Sequence, residues 1–113
     1  MTRLASVVRT MHRSFIRIHI LSLAVRHGEV YGAQIAEQLA AYGYAVSPGT
    51  LYPALHDLLH NGLLHTRRAV VGGRSRKYYA ITPKGCEFLL HMKSLVRELS
   101  NLLLKTRLPS EEG

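Results

Sequence analysis

The chain has 113 residues, 47% of them apolar, which fits a single domain with one hydrophobic core. Its single cysteine excludes an internal disulfide and is typical of a reducing compartment. No apolar run approaches the roughly 20 residues of a membrane span, so we expect a soluble, cytoplasmic protein. Fifteen lysines and arginines against seven acidic residues give a net charge of +8, which indicates a polyanionic partner.

The positive charge is concentrated in two segments. Residues 1–28 contain five arginines and no acidic residue, and residues 63–84 contain six basic residues and no acidic residue. The segment between them carries Glu29, Glu37 and Asp57 and no lysine or arginine. Solvated helix and strand faces are one explanation. Two acid-free basic segments in one small domain favour binding to a polyanion instead.

Two helices are predicted in the first part of the chain. The first is amphipathic and ends near His27, since Gly28 favours a helix C-terminus. The second starts around Tyr31-Gly32, buries Ile35, Ala36 and Leu39, and ends at Gly43. The apolar stripe of the first helix has three-four spacing and consists of Leu4, Val7, Val8, Met11, Phe15, Ile18, Leu21 and Val25.

The third helix has the clearest start signal. Ser47 is expected to cap it, and Pro48 occupies the first helical position, where its missing N–H is harmless. Its buried stripe is Leu51, Leu55, Leu58 and Leu59, and Asn61-Gly62 ends it. Two strands are predicted next, over residues 63–71 and 76–81. A tight turn over residues 72–75 joins them, because its two glycines supply positive φ angles.

The last helix begins at Thr82-Pro83 and runs to about Thr106. Its length of roughly 36 Å exceeds what so small a domain can cover, so its broad apolar stripe favours a dimer. Packing against the first helix within one subunit is the alternative. The residues expected at the dimer interface are Phe15, Ile18, Phe88, Met92, Leu95, Leu99 and Leu102.

Three helices, a hairpin with a basic tip and a further helix make a winged helix-turn-helix. This fold class is mainly α with a small β-hairpin. We therefore expect residues 1–113 to form one DNA-binding domain, with residues 83–106 as its dimerisation helix. The helix starting at Pro48 would enter the major groove of DNA, so its first turn would meet base edges and phosphates. Arg74, between Gly73 and Ser75 at the hairpin tip, would reach a phosphate or the minor groove.

Several motifs resemble the PadR family of bacterial repressors. They are Tyr-Gly-Ala-Gln-Ile at 31–35, Ser-Pro-Gly-Thr-Leu-Tyr-Pro-Ala-Leu at 47–55, Asn-Gly-Leu-Leu at 61–64 and Gly-Arg-Ser-Arg-Lys-Tyr-Tyr-Ala-Ile-Thr-Pro-Lys-Gly at 73–85. The resemblance covers about residues 15–90. The chain is similar to the short members of the family, which have one C-terminal helix. It implies a homodimeric repressor that binds a partly palindromic double-stranded DNA operator until an inducing signal releases it. The DNA-contact positions it implies are Tyr31, Ser47, Pro48, Gly49, Thr50, Tyr52, Arg74, Arg76 and Lys77.

Other chemistry has weaker support. His56 and His60 have the i, i+4 spacing of a zinc pair and His65 follows, but no strict ligand motif is present, so no metal or other cofactor is expected. Cys86 is expected to be a small core residue. No nucleophile–base–acid set appears, so an enzyme is not expected. A metal- or small-molecule-responsive sensor and a winged-helix protein or RNA adaptor remain as alternative functions.

Overall fold

The computed structural model describes residues 3–111 and shows a winged helix-turn-helix, mostly helical, as predicted. A three-stranded antiparallel sheet with strand order β1-β3-β2 packs beside the helices. In chain order the elements are α1 Arg3–His27, β1 Val30–Tyr31, α2 Gly32–Ala41, α3 Pro48–His60, β2 Leu64–Val71, β3 Arg74–Ile81, α4 Pro83–Lys105 and a 3-10 turn Pro109–Glu111.

Strand β1 was missed from the sequence, and the hairpin turn is shorter than predicted. Tyr31 belongs to β1, where it pairs with Tyr78, and α2 begins only after it. The turn itself consists of Gly72 and Gly73 alone, with φ angles of +57° and +80°. Two successive positive φ angles are the requirement of a two-residue type I′ hairpin. Arg74 is therefore the first residue of β3, opposite Val71, rather than part of the loop.

The core lies where the C-terminal half of α1 meets α2, α3 and the base of the sheet. From α1 it takes Ile16, Ile20, Leu21, Leu23 and Ala24. Of the apolar stripe predicted from the sequence, only Leu21 is buried in this core, and most of the other members are exposed. Helix α1 has apolar side chains on two faces, and the face with fewer of them packs inside the domain.

The two helices that begin with proline start differently. The Thr82 hydroxyl accepts a hydrogen bond from the backbone N–H of Gly85 at 2.9 Å and donates one to the Gly62 carbonyl at 2.6 Å. Ser47 lies at the N-cap position of α3, but its hydroxyl reaches only the Thr50 hydroxyl, at 3.4 Å, and caps no backbone N–H. Ser47 therefore occupies the predicted N-cap position, but its side chain does not make the predicted capping hydrogen bond.

Helix α4 leaves the domain soon after it starts. Gly85 is buried, Leu89 and Met92 are half-buried, and every residue from Lys93 to Lys105 is exposed. Cys86 is also exposed, so the expectation of a core cysteine was wrong. Within residues 3–111 no helix is long and apolar enough to cross a bilayer.

Candidate nucleic-acid interface

The first turn of α3 presents small and polar groups to solvent. Ser47, Pro48 and Gly49 are exposed and Thr50 is half-exposed. Pro53 lies inside the helix and has no N–H to donate to the Gly49 carbonyl. The N–H groups of Thr50 and Leu51 already donate to the Ser47 carbonyl. The N–H and the carbonyl of Gly49 are therefore the backbone groups that this turn offers for contacts to phosphates and base edges.

A basic groove lies beside α3, along the open edge of β3. Because β1 is only two residues long, it pairs with Tyr78 and Tyr79 and leaves β3 residues 74–77 without a neighbour on that side. The groove has a volume of about 370 Å³. We call it the wing groove; its principal lining side chains are Tyr31, Tyr52, Arg68, Arg74, Arg76 and Lys77.

Two tyrosines fix the direction of the Arg76 side chain. The guanidinium carbon of Arg76 lies 4.1 Å from the centre of the Tyr31 ring, a cation–π geometry. Tyr31 in turn packs edge-to-face on Tyr78, with 5.8 Å between ring centres. The phenol of Tyr78 lies 3.5 Å from Nη1 of Arg76. Arg76 is thus held against the wall of the wing groove instead of moving freely in solvent.

The adjacent arginines of β2 have opposite roles. Arg67 donates two hydrogen bonds to the Glu29 carboxylate, at 2.6 and 2.7 Å, and these hold the pKa of Glu29 below its usual range. Its charge is therefore already neutralised. Arg68 points to the other face of the strand, opposite Lys77, and lines the wing groove. Within residues 3–111 Arg68 takes part in no ion pair, so its charge is available to a phosphate.

The contact between α2 and α3 also shapes the groove. A Cβ atom at Gly32 would lie 3.0 Å from the Tyr52 hydroxyl, so glycine lets the start of α2 approach this side chain closely. Tyr52 itself remains 54% exposed and is available to a ligand in the groove.

The sequence and structural comparisons agree on the family. The profile of the Transcriptional regulator PadR-like family matches residues 20–91, more than half of the chain. The chain belongs to this family. The motif-based resemblance, over about residues 15–90, is confirmed in both family and extent. The protein is accordingly a transcriptional regulator of the PadR-like family.

Individual PadR-like relatives cover most of the chain. A transcriptional regulator of Mycobacterium tuberculosis, Rv3488, is 42% identical over 97 residues, which is 86% of this chain and 90% of that protein. The PadR-like transcription factor of Bacteroides fragilis has a TM-score of 0.76 and 29% identity, over 87% of this chain and 95% of that one. The PadR-like regulator of Bacillus cereus has a TM-score of 0.75 and 31% identity, over 87% and 99%.

The PadR-like fold brings together five of the nine side chains or positions predicted to contact DNA. Tyr31, Tyr52, Arg74, Arg76 and Lys77 all line the wing groove. Ser47, Pro48, Gly49 and Thr50 lie together at the start of α3, outside that groove. The sequence analysis did not predict Arg68 as a contact residue. Adjacent residues of a strand point to opposite faces of the sheet, so Arg68 and Arg67 were bound to differ, but only the strand register shows which of the two faces the groove.

The histidines that resemble a metal pair lie on the exposed side of α3. The rings of His56 and His60 are nearly parallel, 16° apart, with centres separated by 6.2 Å. In the part of the chain from 3 to 111, no three His, Cys, Asp or Glu side chains converge as metal ligands would. His65 therefore does not join the pair to complete a three-ligand site.

The residues expected at a dimer interface form an accessible apolar surface on α1 and α4. Ile18 and Met92 are half-buried between the two helices. The other five are exposed, and they are Phe15, Phe88, Leu95, Leu99 and Leu102. We call this surface the outer apolar stripe. Its residues belong to α1 and α4, whereas the principal residues of the wing groove belong to other elements.

Proposed function

We propose that this protein is a sequence-specific DNA-binding repressor that binds a partly palindromic operator as a homodimer and is released by an inducing signal. The observation that carries the proposal is the wing groove. There, four cations and two tyrosines from α3, β1 and the hairpin converge beside the exposed first turn of α3.

The arrangement fits recognition of duplex DNA. In a helix-turn-helix the second helix enters the major groove with its N-terminal residues toward the bases, and here that helix is α3. Arg68 and Arg74 supply charges next to it, which neutralise phosphates without reading sequence. The hydroxyl groups of Thr50 and Tyr52 supply base-edge or phosphate contacts at the helix start.

The outer apolar stripe supports a homodimer. Leu99 and Leu102 are 52% and 62% exposed on a helix that overhangs its own domain, and monomeric proteins rarely leave so long an apolar face in water. Two copies joined through α1 and α4 would carry two α3 helices. Such pairs read half-sites separated by one turn of DNA, about 34–36 Å, or by multiples of it.

Selection of bound fragments from genomic DNA, followed by site-directed cross-linking, tests the proposal. The exposed Cys86 is first replaced by serine so that a photoreactive probe can be attached at one chosen cysteine. With the probe at Tyr52→Cys or Arg74→Cys, we expect cross-links to the selected duplex. With the probe at Lys105→Cys, roughly 30 Å along α4 from its start, we expect none.

The cross-linking result also separates the adaptor hypothesis from the proposal. If no genomic fragment is enriched, or single-stranded RNA competes with the duplex at equal concentration, an adaptor function is favoured and the operator proposal is wrong. If cross-links form at Lys105 but not at Tyr52, DNA lies on a different face of the protein.

A cavity favours ligand-controlled release as a second, compatible function. It has a volume of about 490 Å³ between α1, α3 and α4, with Ile18, Phe88 and Met92 among its walls. The ion pair between Arg17 of α1 and Asp57 of α3, at 2.8 Å, lies at its edge. A small molecule there would contact both α3 and the two helices of the proposed dimer interface. It would shift the position of α3 only if it bound one conformation of the protein more tightly than the other.

Filling the cavity tests this second function. Ser14→Phe adds an aromatic ring at its wall, away from the residues of the wing groove. We expect this variant to retain operator binding and to keep a reporter gene repressed under conditions that release the wild type. A reporter that is released as in the wild type would show that the signal acts elsewhere.

A further inference from the structure

The face of α1 that packs in the core is apolar in the C-terminal half of the helix and basic toward its N-terminus. In its C-terminal half this face carries Ile16 and Ile20, both buried. Continued backward with the same spacing of three to four residues, it carries Arg13 and Arg9, which are exposed. The helix therefore projects two arginines from the domain on the side where its core-facing residues lie.

These arginines line a groove with the segment that joins α2 to α3. The groove has a volume of about 330 Å³ and is formed by Arg9, His12 and Arg13 of α1, residues 43–46, and Thr50 of α3. Tyr44 fixes the joining segment against α1 through edge contacts with His12 and His19, with ring centres 5.6 and 5.0 Å apart. We call this the α1–loop groove.

Among residues 3–111, no acidic side chain pairs with the arginines of the α1–loop groove. Residues 1–28 contain no acidic residue. The two ion pairs within residues 3–111 are Arg17–Asp57 and Arg67–Glu29, and neither involves Arg9 or Arg13. Two unpaired arginines one helical turn apart favour an anionic ligand with repeated charges, such as a nucleic-acid strand.

The two basic grooves lie on opposite sides of α3. Thr50 borders the α1–loop groove and Tyr52 borders the wing groove. Two residues apart in an α-helix are about 200° apart around its axis. A helix in the major groove of DNA has one phosphate strand on each side of it. With α3 in the major groove, each basic groove would face one of these strands.

We propose that the α1–loop groove is a second DNA-backbone contact, in which Arg9 and Arg13 bind phosphates of the strand opposite to the one bound by the wing. This inference rests on the proposed DNA-binding function and adds a surface to it. The α1 members of the outer apolar stripe, Phe15 and Ile18, point away from this face by about half a helical turn. Dimerisation and phosphate binding can therefore occupy the same helix at once.

Salt dependence of duplex binding measures the contact directly. Each phosphate contact contributes about 0.9 to the slope of log K against log salt. We expect Arg9→Ala with Arg13→Ala to lower the slope by about 1.8 per protomer, and to weaken binding to operator and to random duplex alike. The control, Lys105→Ala with Arg107→Ala, removes the same charge from the exposed end of the chain beyond the domain and should leave the slope unchanged.

Two further measurements make the outcome decisive. Arg9→Lys with Arg13→Lys keeps the charges and should restore most of the slope. Phosphate-ethylation interference on the wild-type protein needs no variant, and should mark phosphates on both strands beside each half-site. Unchanged slopes in the alanine variant, or interference confined to one strand, would overturn the inference. Failure of the wild type to bind any duplex would instead overturn the proposed function itself.

Discussion

Replacing Gly85 with alanine tests how α4 is attached to the winged-helix domain. Gly85 is buried in the first turn of α4. A Cβ atom there would overlap the carbonyl oxygen of Leu63 and lie 2.6 Å from Cγ1 of Ile81. The same carbonyl accepts the N–H of Thr82 at 3.1 Å, so it cannot move away without loss of that hydrogen bond. Glycine is required here because a larger side chain has no room, and not because of the backbone conformation.

The expected effect is the sum of opposing terms. Alanine in place of glycine favours a helix by about 0.5–1 kcal/mol. Overpacking of a tight site costs about 1–3 kcal/mol, and loss of the hydrogen bond from the Gly85 N–H to the Thr82 hydroxyl would remove a cap that contributes about 1 kcal/mol. We therefore expect Gly85→Ala to lower the free energy of unfolding by about 2 kcal/mol.

Urea unfolding at one fixed protein concentration measures this loss, since the stability of the proposed dimer would depend on concentration. Gly49→Ala is the matched control. It is also early in a helix that begins with proline, but a Cβ there would meet only the Ser47 hydroxyl, at 3.7 Å. We expect it to leave stability unchanged or raise it by up to about 1 kcal/mol. Equal midpoints for Gly85→Ala and the wild type would refute the argument.

Three further predictions concern DNA, the dimer and pH. Arg74→Ala should weaken binding to all duplex sequences and lower the salt slope by about 0.9 per protomer; a loss confined to one sequence would mean that Arg74 reads bases. Leu95→Asp with Leu99→Asp should give monomers or aggregates in sedimentation, and an intact dimer would contradict the assigned interface. Burial, and to a smaller extent the charge of Arg26, lower the pKa of His19 in the folded protein. The imidazole therefore binds a proton more readily in the unfolded chain, and the free energy of unfolding should fall as the pH drops below about 6.5. His19→Leu should reduce that slope in urea titrations, whereas an unchanged slope would assign it to other groups.

Local signals predicted the helices and the hairpin well. The start of α4 at Thr82-Pro83 was predicted because the cap and the proline act within one turn, and the structure confirms the cap. The Gly72-Gly73 pair likewise placed the hairpin, since only glycine readily takes two successive positive φ angles. Such features depend on neighbouring residues alone.

Features that depend on partners distant in the chain were harder to predict. Both faces of α1 contain apolar residues, and periodicity alone could not show that Ile16 and Ile20 pack inside while Phe15 is exposed. Strand β1 has two residues, too few for alternation to be visible, and exists because Tyr31 pairs with β3. Arg68 could not be separated from Arg67 without the sheet register and the position of Glu29.

The affinity ratio between a selected operator and a scrambled duplex tests the central claim most directly. It is measured by fluorescence anisotropy at one physiological salt concentration, for the wild type and for Tyr52→Ala. Specific regulators bind their sites about 10³-fold or more above random duplex, so we expect a ratio of that order for the wild type. Tyr52→Ala should reduce it through weaker operator binding. A wild-type ratio near one would contradict the account of α3 and the wing groove as a sequence-reading surface.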